Sequence, residues 1–482
     1  MVKKVNVPTD AQLPLVLDLD GTVLKTDLLL ECLLLSIKRS PFVVFMVMVW
    51  LFQGRAVLKQ KLAQRAGLDV DGLPLNDALV AYAAACHAAG QPVYIASAAN
   101  ADLARQVGDR LGFVTEVLGS SDRLNLKGRH KAAALVARFP NGFIYAGDDP
   151  ADIDVWAVSS GAVFAGRSAS VERAAAKVAP MVATFRQARV GLKVWIKALR
   201  LHQWSKNALV FMPLMLAGLL ASGSSWTNAI LAFLAIGLVS SSTYLLNDLL
   251  DLKDDRAHAT KHRRPLASGA LPIGRALVAM PLGIGAGFAL GWLSNGWPTL
   301  LCLLGYLVTT LAYSFKMKRW PVVDVLVIAG LFTSRMLLGA LAVDAPVRPW
   351  LFVFSMFLFT GLSMAKRVVE VQRLMSEGKV GGRGYLATDG PIIMAMGVAA
   401  NVAAILVLVL YLIEEAFTNS FYGQAGMLWF APMVLTLWLG RVWLLCARGE
   451  LDDDPVAFAV RDPISVGLGA FLGLSVVGAV LL

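Results

Sequence analysis

Four residues near the middle of the chain carry the clearest chemical signal. The segment NDLLDLKDD places Asn247, Asp248, Asp251 and Asp255 in the spacing N-D-x-x-D-x-x-x-D. On a continuous helix the three aspartates fall at i, i+3 and i+7, which puts their carboxylates on one face. Three such anions repel one another unless a cation joins them. Hard carboxylate oxygens suit Mg²⁺, which usually also contacts substrate phosphates, so the segment predicts a magnesium–diphosphate site.

A solvated acidic helix end is the plain alternative for this segment. It is disfavoured because the acids follow a long apolar run, and unpaired acids are costly at the rim of a membrane domain. Cations come directly afterwards in KHRRPL, where Arg263 and Arg264 are placed to meet phosphate oxygens. Some of these cations could equally serve only to set membrane topology.

A second set of acids lies near the N-terminus. The apolar strand LPLVL runs into Asp18 and Asp20, and Gly21 allows a sharp turn beside them. Two carboxylates at one strand end can serve as nucleophile and as general acid or base. Further polar residues follow at later strand ends and at a helix start, namely Ser97, Lys127, Asp148, Asp149 and Asp152.

The composition divides the chain into a soluble-looking part and a membrane part. Hydrophobic residues make up 57% of the 482 residues and charged residues 16%, with a mean hydropathy of +0.64. After about residue 207, nine apolar runs are long enough to span a bilayer. These runs begin near Asn207, Trp226, Pro272, Trp297, Pro321, Pro349, Pro391, Met427 and Pro463.

The positive charges follow the order of these runs. Lysines and arginines gather in the loops after the even-numbered runs, which predicts a cytoplasmic N-terminus. The net charge of +11 is therefore explained by topology, and no nucleic-acid partner is expected. The four cysteines show no paired spacing, so neither disulfides nor zinc are implied. No cleavable signal peptide is visible, which also keeps the N-terminal domain in the cytoplasm.

Three regions are expected along the chain. Residues 1–185 should form an α/β domain with a helical cap at about 28–90, and residues 186–206 an amphipathic basic helix at the membrane interface. Residues 207–482 should form an all-helical membrane bundle of about nine transmembrane helices. The apolar run at 41–53 is too short to cross comfortably, so a buried or membrane-resting helix is expected there.

The N-terminal motifs resemble the haloacid-dehalogenase (HAD) phosphohydrolases, in particular the phosphoserine-phosphatase-like branch. The resemblance implies a Rossmann-like fold, with Asp18 as the phosphorylated nucleophile and Asp20 as general acid and base. It also implies that Ser97 and Lys127 bind the phosphoryl group. One Mg²⁺ would be held by Asp18, Asp20 and Asp148. An inactive HAD scaffold is the alternative.

The acidic motif followed by KxRRPL is similar to the UbiA intramembrane prenyltransferase superfamily, over roughly residues 195–482. Most members carry a second DxxxD motif, whereas this chain has SMAKRVVE after the sixth run and YSFKMKRW after the fourth. That surplus of cations resembles the decaprenyl-phosphate phosphoribosyltransferase branch. In that branch phosphoribosyl pyrophosphate is the donor and a polyprenyl phosphate is the acceptor.

This second resemblance implies roles for the remaining polar residues. The acidic motif, Asn247 included, would hold at least one further Mg²⁺ with the diphosphate. Phosphates would be bound by Lys206, Arg263, Arg264, Lys318, Arg335, Lys366 and Arg367. Arg335 is an intramembrane cation and a candidate for the lipid phosphate. Tyr313, Ser363 and Glu370 would contact substrate, although Tyr313 could equally be an interfacial anchor.

The favoured function is Mg²⁺-dependent transfer of 5-phosphoribose from phosphoribosyl pyrophosphate to a polyprenyl phosphate, after which the HAD domain removes the 5-phosphate. One alternative is UbiA-type transfer of a polyprenyl group from its diphosphate to an aromatic or quinone-precursor acceptor. Another is a membrane lipid-binding or transport protein with an inactive HAD scaffold. The expected setting is a bacterial-type inner (plasma) membrane, with both sites on the cytoplasmic face. The oligomeric state, a homo-oligomer included, stays open.

Overall fold

The structure is a computed structural model that describes residues 13–120, 126–377, 384–417, 422–451 and 455–481. The chain divides into two compact units. The described residues of the first unit are 13–120, 126–200 and 244–280, and the second unit comprises 201–243 and the described residues from 281 onward. The acidic motif therefore belongs to the same unit as the N-terminal α/β domain, although the sequence grouped it with the membrane bundle.

A six-stranded parallel sheet forms the centre of the first unit, which confirms an α/β architecture. The strand order is β3-β2-β1-β4-β5-β6. Its strands are β1 (Leu15–Leu17), β2 (Val93–Asn100), β3 (Glu116–Ser120), β4 (Ile144–Gly147), β5 (Gly161–Phe164) and β6 (Met181–Thr184). Strands β1 and β4 are fully buried, as expected for apolar strands covered on both faces. The order reverses between these two strands, where open α/β sheets bind ligands.

Four helices fill the chain between β1 and β2, where a helical cap was expected. They are α1 (Leu28–Arg39), α2 (Val43–Gln53), α3 (Arg55–Ala66) and α4 (Asp77–Ala88). The α3 and α4 helices share one hydrophobic cluster with the sheet. The short helix α2 instead leaves Phe45 71% and Phe52 89% exposed. Such an apolar surface favours the membrane-resting alternative over the buried one.

The helices that follow in the first part of the chain are α5 (Ala101–Leu111), α6 (Arg129–Arg138), α7 (Ile153–Trp156), α8 (Ala169–Val178) and α9 (Leu192–Ala198). The amphipathic helix expected over 186–206 is shorter in the structure. Only α9 is α-helical there, and a 3₁₀ segment from Leu201 to Phe211 follows it.

Within the described ranges, eight helices are long and apolar enough to cross a membrane. They are α11 (Gly223–Leu250), α13 (Ile273–Asn295), α14 (Trp297–Phe315), α15 (Val323–Ala342), α16 (Pro349–Glu377), α17 (Gly390–Tyr411), α18 (Phe430–Ala447) and α20 (Pro463–Leu481). Three short helices complete the chain, namely α10 (Met212–Leu216), α12 (Leu252–Ala257) and α19 (Pro455–Arg461).

The expected count of nine spanning helices is therefore wrong by one in this part of the chain. The run that begins near Asn207 forms the 3₁₀ segment, then α10, then a second 3₁₀ turn at Leu219–Ala221. Pro213 lacks a backbone N–H for a preceding helical turn. Gly218 has a φ of +69°, which ends a helix. The other eight predicted runs correspond to the eight long helices.

A buried ion pair joins α1 to α12. The Arg256 guanidinium donates from Nη2 to Glu31 Oε1 at 2.5 Å and from Nη1 to Oε2 at 3.1 Å. Thr26 Oγ1 donates a further hydrogen bond of 2.6 Å to Glu31 Oε1. The Glu31 side chain is 3% exposed and that of Arg256 10%. Around the pair, Leu34 of α1 packs in one hydrophobic cluster with Leu249 and neighbouring residues.

We expect Glu31→Ala to destabilise the first unit by about 3–5 kcal/mol, because it leaves the Arg256 guanidinium buried without its carboxylate. The measurement is hydrogen exchange of residues 244–272 in the full chain in detergent. Asp102→Ala is the matched control, since Asp102 pairs with Arg105 on the surface and such pairs contribute about 0–1 kcal/mol. Equal protection of the segment in both variants would contradict the prediction.

Candidate functional site

Asp18 and Asp148 meet at the carboxyl ends of β1 and β4, as the sequence predicted. The two strands are paired in parallel, and the Asp18 N–H donates to the Ala146 carbonyl at 2.8 Å. Thr22 Oγ1 donates to Asp148 Oδ1 at 2.9 Å. Gly21 has a φ of +80°, and a Cβ added there would lie 2.5 Å from Asp148 Oδ2. Only glycine therefore allows the backbone to approach the Asp148 carboxylate this closely.

The buried cation beside Asp18 is Lys131, which the sequence reading missed. Its Nζ lies 2.6 Å from Asp18 Oδ1 and 2.8 Å from the Tyr145 hydroxyl. Lys127, which the sequence predicts at a helix start as the phosphoryl-binding lysine, lies two residues before α6 and lines the same cavity. The usable signal was helical periodicity, since Lys131 lies four residues before Leu135 and both are buried on one face of α6.

Asp152 fixes the loop that carries Asp148. Its Oδ2 accepts the backbone N–H groups of Asp148 and Asp149, each at 3.0 Å. Its Oδ1 accepts the Tyr145 hydroxyl at 2.8 Å. With these three donors on its oxygens, Asp152 positions the loop.

The two remaining predicted residues of this site line the same cavity. Asp20 Oδ1 accepts the Leu28 N–H at 2.9 Å, at the start of α1. Ser97 is buried in β2, and its Oγ accepts the Ala99 N–H at 3.0 Å. The cavity has a volume of about 650 Å³ and contains all five sequence-selected positions, Asp18, Asp20, Ser97, Lys127 and Asp148.

The carboxyl groups of this site are costly to ionise without a cation. Burial raises the pKa of Asp18 to about 6, although the Lys131 ammonium opposes the shift. Burial and then the charge of Asp27 raise the pKa of Asp20 to about 8. The pKa of Asp148 is also raised, by burial and then by the charge of Asp18. A bound cation would offset the repulsion between these anions.

These acids fit a divalent metal ion. Asp18, Asp148 and Asp152 each offer one carboxylate oxygen, and the three oxygens lie within 4.8 Å of one another. Hard oxygen donors on a rigid strand end are the ligands that Mg²⁺ takes. Because Asp152 already accepts three hydrogen bonds, Asp18 and Asp148 are the better placed ligands. The Asp20 carboxylate faces the start of α1 instead.

The second acidic site lies where α11 ends. The helix stops at Leu250, and Asp251 precedes the short helix α12. The single helical face that the spacing predicted is broken at Asp251. Arg264 Nη1 bridges Asp248 Oδ1 at 3.1 Å and Asp255 Oδ2 at 2.7 Å, whereas Asp251 contacts a different cation. Arg200, which the sequence reading did not select, also donates to Asp248.

Lys38 is the cation at Asp251, and it comes from the N-terminal domain. Its Nζ lies 3.2 Å from Asp251 Oδ1 and 2.7 Å from Asp254 Oδ2. Lys38 is in the last turn of α1, whose first residue donates to Asp20. The ten residues between Leu28 and Lys38 correspond to about 15 Å of helix. One helix therefore touches both acidic sites.

The acidic motif offers carboxylate oxygens of the kind that bind Mg²⁺. In the structure these carboxylates are paired with protein cations. Asp248 and Asp255 share the Arg264 guanidinium, and Asp251 shares the Lys38 ammonium. A metal–diphosphate complex would have to take over these contacts. Asn247 is half-buried on the same turn of α11. Arg263 is exposed, and its carbonyl accepts Lys197 Nζ at 2.9 Å.

Arg335 of α15 is a buried cation with neutral partners. Its Nε donates to Asn207 Oδ1 at 2.9 Å and its Nη2 to the Tyr306 hydroxyl at 3.0 Å. Its guanidinium also lies 5.3 Å from the centre of the Phe332 ring, and Lys206 Nζ lies 5.7 Å from the same ring. Within the described part of the chain, no carboxylate forms an ion pair with Arg335. An anionic ligand would balance this charge.

Arg367 of α16 is balanced within the second unit. It donates from Nε to Asp324 Oδ2 at 2.7 Å, and its Nη1 bonds Glu370. The Tyr385 hydroxyl donates to Asp324 Oδ1 at 2.6 Å. This geometry gives Arg367 a packing role besides the phosphate contact that we predicted. The other predicted residues of the second unit are distributed over α14 (Tyr313), the 3₁₀ turn after it (Lys318) and α16 (Ser363 and Lys366).

Eight long apolar helices and an acidic motif at the end of one of them define a multi-pass membrane protein. The chain belongs to the UbiA prenyltransferase family, which its residues 210–471 match. Besides the family match, two relatives and one solved structure are informative.

The chain is 38% identical over 473 residues to uncharacterized protein y4nM of Sinorhizobium fredii, covering 98% of this chain and 92% of that protein. It is 28% identical over 293 residues to decaprenyl-phosphate phosphoribosyltransferase of Mycobacterium tuberculosis, covering 59% of this chain and 93% of that protein. A UbiA homolog from Archaeoglobus fulgidus, solved with DMAPP and Mg²⁺, is 16% identical with a TM-score of 0.44, covering 59% of this chain and 99% of that one.

The raised pKa values predict how pH and Mg²⁺ change the stability of the first unit. A carboxyl whose pKa is raised on folding favours the folded state at low pH and loses that contribution as pH rises through the folded pKa. In EDTA, the melting temperature of the first unit should therefore decrease as the pH is raised from about 5 to about 8.5. Mg²⁺ should restore it at the higher pH.

Asp20→Asn should raise the melting temperature in EDTA at the higher pH, since it removes the carboxyl with the pKa of about 8. Asp102→Asn is the control on the surface of the same unit. An unchanged melting temperature in Asp20→Asn, or a fall in both variants, would contradict the account.

Proposed function

We propose that this protein transfers 5-phosphoribose from phosphoribosyl pyrophosphate to a polyprenyl phosphate, and that its N-terminal domain then removes the 5-phosphate from the lipid-linked product. The first step is the activity named for the Mycobacterium tuberculosis relative. The second step rests on the resemblance of the N-terminal site to HAD phosphatases. The two sites are assigned to one face of the membrane because Lys38 of the N-terminal domain contacts Asp251 of the acidic motif. That face is assigned as cytoplasmic because the loop after α11 is rich in lysine and arginine.

The observation that carries the proposal is the position of α1. Its first turn contacts Asp20 in the Asp18–Asp148 site, and its last turn contacts Asp251 in the acidic motif. Two phosphate-handling sites about 15 Å apart along one helix suit consecutive steps on one substrate. The exposed apolar helix α2 lies beside the first site through Leu51, which suits a substrate attached to a membrane lipid.

In the transfer step, an oxygen of the lipid phosphate attacks C1 of the ribose. The bond from C1 to the diphosphate oxygen breaks, and diphosphate leaves with the electron pair. Asn247, Asp248, Asp251 and Asp255 would hold the Mg²⁺ that stabilises this leaving group. Arg264 and Arg263 would contact its oxygens. No general base is needed, because the phosphate monoester is already an anion.

The phosphates of donor and acceptor are assigned to four cations, namely Lys206, Lys318, Arg335 and Lys366. Among these, Arg335 is assigned to the lipid phosphate. Tyr313, Ser363 and Glu370 are assigned to substrate contact. These assignments rest on the residue types and on the family resemblance. The support from the second unit is the charge of Arg335, which has neutral partners there.

In the phosphatase step, Asp18 attacks the phosphorus of the 5-phosphate and forms an aspartyl phosphate. Asp20 donates a proton to the departing ribose 5-oxygen, and then accepts one from the water that hydrolyses the aspartyl phosphate. Asp18 and Asp148 would hold the Mg²⁺ that neutralises the phosphoryl charge. Lys131, at 2.6 Å from Asp18, is added as the phosphoryl-binding lysine. Ser97 is the second phosphoryl contact.

The test supplies labelled phosphoribosyl pyrophosphate with polyprenyl phosphate to the full chain in vesicles. We expect a labelled lipid, with release of inorganic phosphate, when the cytoplasmic face is accessible. Asp251→Asn should lower the rate of lipid labelling by ~100-fold, because a ligand of the leaving-group metal is lost. Asp102→Asn, on the surface of the same unit and paired with Arg105, is the matched control and should keep the wild-type rate.

The two steps separate in the Asp18→Asn variant. It should still label the lipid but should accumulate the 5-phosphorylated form, because only the nucleophile of the second step is changed. Identical phosphate release by wild type and Asp18→Asn would reject the phosphatase. Transfer from polyprenyl diphosphate to an aromatic acceptor, without use of phosphoribosyl pyrophosphate, would establish the prenyltransferase alternative.

Arg335→Met should raise the KM for polyprenyl phosphate by ~10-fold or more, since a charge-assisted hydrogen bond contributes about 1.5–3 kcal/mol. The KM for phosphoribosyl pyrophosphate should change little. Arg348→Ala is the control, because Arg348 pairs with Glu415 in the same unit. A parallel rise in both KM values in Arg335→Met, with recovery absent in Arg335→Lys, would show a structural role instead.

A further inference from the structure

The cavity above Asp18 continues past the catalytic acids to a second group of charged residues. Arg167, between β5 and α8, and Arg275, in the first turn of α13, both line it. Its volume of about 650 Å³ is in the range that holds a drug-sized ligand, well above a single phosphoryl group. The site therefore has room, and charge, for more than the phosphate it would cleave.

The same two arginines border a neighbouring cleft of about 470 Å³. Its lining residues are Arg167, Ser168, Ala169, Ser170, Arg173, Arg189, Val190 and Arg275. Four of these eight are arginines and none is acidic. The nearby carboxylate of Glu172 is already paired with Arg186 by three hydrogen bonds.

The position of the Arg167 guanidinium is energetically unfavourable. Its Nη2 donates to the Gly269 carbonyl at 2.6 Å, while its Nε is buried without an acceptor in the part of the chain that the structure describes. Burial, followed by the charge of Arg275, lowers the pKa of the Arg167 guanidinium. Two like charges that line one cavity, one of them partly desolvated, are unfavourable unless an anion joins them.

Arg275 is the second half of the pair. It is exposed, and its guanidinium makes no hydrogen bond or ion pair with any described residue. It stands in the stretch after the acidic motif, so the membrane part of the sequence contributes it to the cavity of the α/β domain. A flexible cation beside an anchored one is suited to close on the oxygens of a phosphate.

We propose that Arg167 and Arg275 form a second phosphate subsite, which binds a phosphate diester while Asp18 acts on a phosphate monoester of the same molecule. The preferred substrate of the Asp18 site is then a bis-phosphorylated sugar whose second phosphate is esterified. This deepens the proposed function and rests on it, because a lipid-linked 5-phosphoribose carries both groups. An anionic lipid headgroup has the same phosphodiester chemistry and is the competing source.

The test compares two soluble substrates with the full chain in detergent. One is ribose 5-phosphate, and the other is 5-phosphoribose joined through C1 to a short alkyl phosphate. We expect kcat/KM to be at least ~10-fold higher for the second, because a charge-assisted phosphate contact contributes about 1.5–3 kcal/mol. Arg275→Ala should lower the ratio of the two kcat/KM values toward one, and Arg275→Lys should retain part of it.

Arg105→Ala is the matched control, an exposed arginine of the same unit paired with Asp102, and should keep the wild-type ratio. A ratio near one in the wild type would overturn the subsite even with an active phosphatase. An equal loss on both substrates in Arg275→Ala would also overturn it, since that is the result of a structural role.

Direct binding separates this proposal from the phosphatase itself. The Asp18→Asn protein should bind a short dialkyl phosphate, measured by calorimetry, and should lose that binding in Arg167→Met and in Arg275→Ala. This result would support the subsite even if no phosphate is released from either substrate. No binding in Asp18→Asn would reject it.

Nanodiscs distinguish the two sources of the phosphodiester. If the cleft binds substrate, the kcat/KM ratio should be the same in zwitterionic discs and in discs that contain anionic phosphatidylglycerol. If phosphatidylglycerol abolishes the ratio in wild type, the cleft binds a lipid headgroup and the substrate assignment is wrong.

Discussion

The ion pair between Glu31 and Arg256 is the contact on which the arrangement of the first unit depends. It is almost fully buried, and removal of either partner would leave an uncompensated charge. Through it, α1 is held against the segment that follows α11, where Lys38 contacts Asp251. The hydrophobic cluster around Leu34 and the hydrogen bond from Arg167 to the Gly269 carbonyl join the same two parts of the chain. The two acidic sites therefore belong to a single compact unit.

The two acidic sites differ in how far protein cations neutralise their carboxylates. In the Asp18–Asp148 site, burial raises the pKa values of the acids, and the Lys131 ammonium only partly offsets the charge of Asp18. In the acidic motif, Arg264, Arg200 and Lys38 already neutralise the carboxylates. The first site therefore fits a cation as it stands. Under the proposed function, a metal–diphosphate at the second site would displace guanidinium and ammonium groups, whose positive charge would then be available to the diphosphate.

Local patterns predicted the individual elements well. Eight of the nine apolar runs are long helices, because a run of about 20 apolar residues has few other stable forms in a bilayer. The ninth failed where Pro213 and Gly218 interrupt it, and those two residues were visible in the sequence. Strand ends at Asp18 and Asp148 were also predictable, since apolar runs that stop at Asp or Gly are typical of parallel strands. Lys131 was missed because the position of α6 relative to Asp18 depends on the whole sheet.

By itself, the sequence determined that the chain has an α/β part, a polytopic membrane part, and two groups of acids that follow apolar segments. These properties follow from residue type and spacing along short segments. Only the tertiary structure decided that residues 244–280 pack with the N-terminal domain, that Lys38 and Arg264 sit on the acidic motif, and that Arg275 reaches the cavity of Asp18. Lys38 and Asp251 are 213 positions apart, whereas Arg264 lies only 16 and 9 positions from Asp248 and Asp255. No local periodicity encodes the long-range contacts, because they depend on how separately formed helices pack.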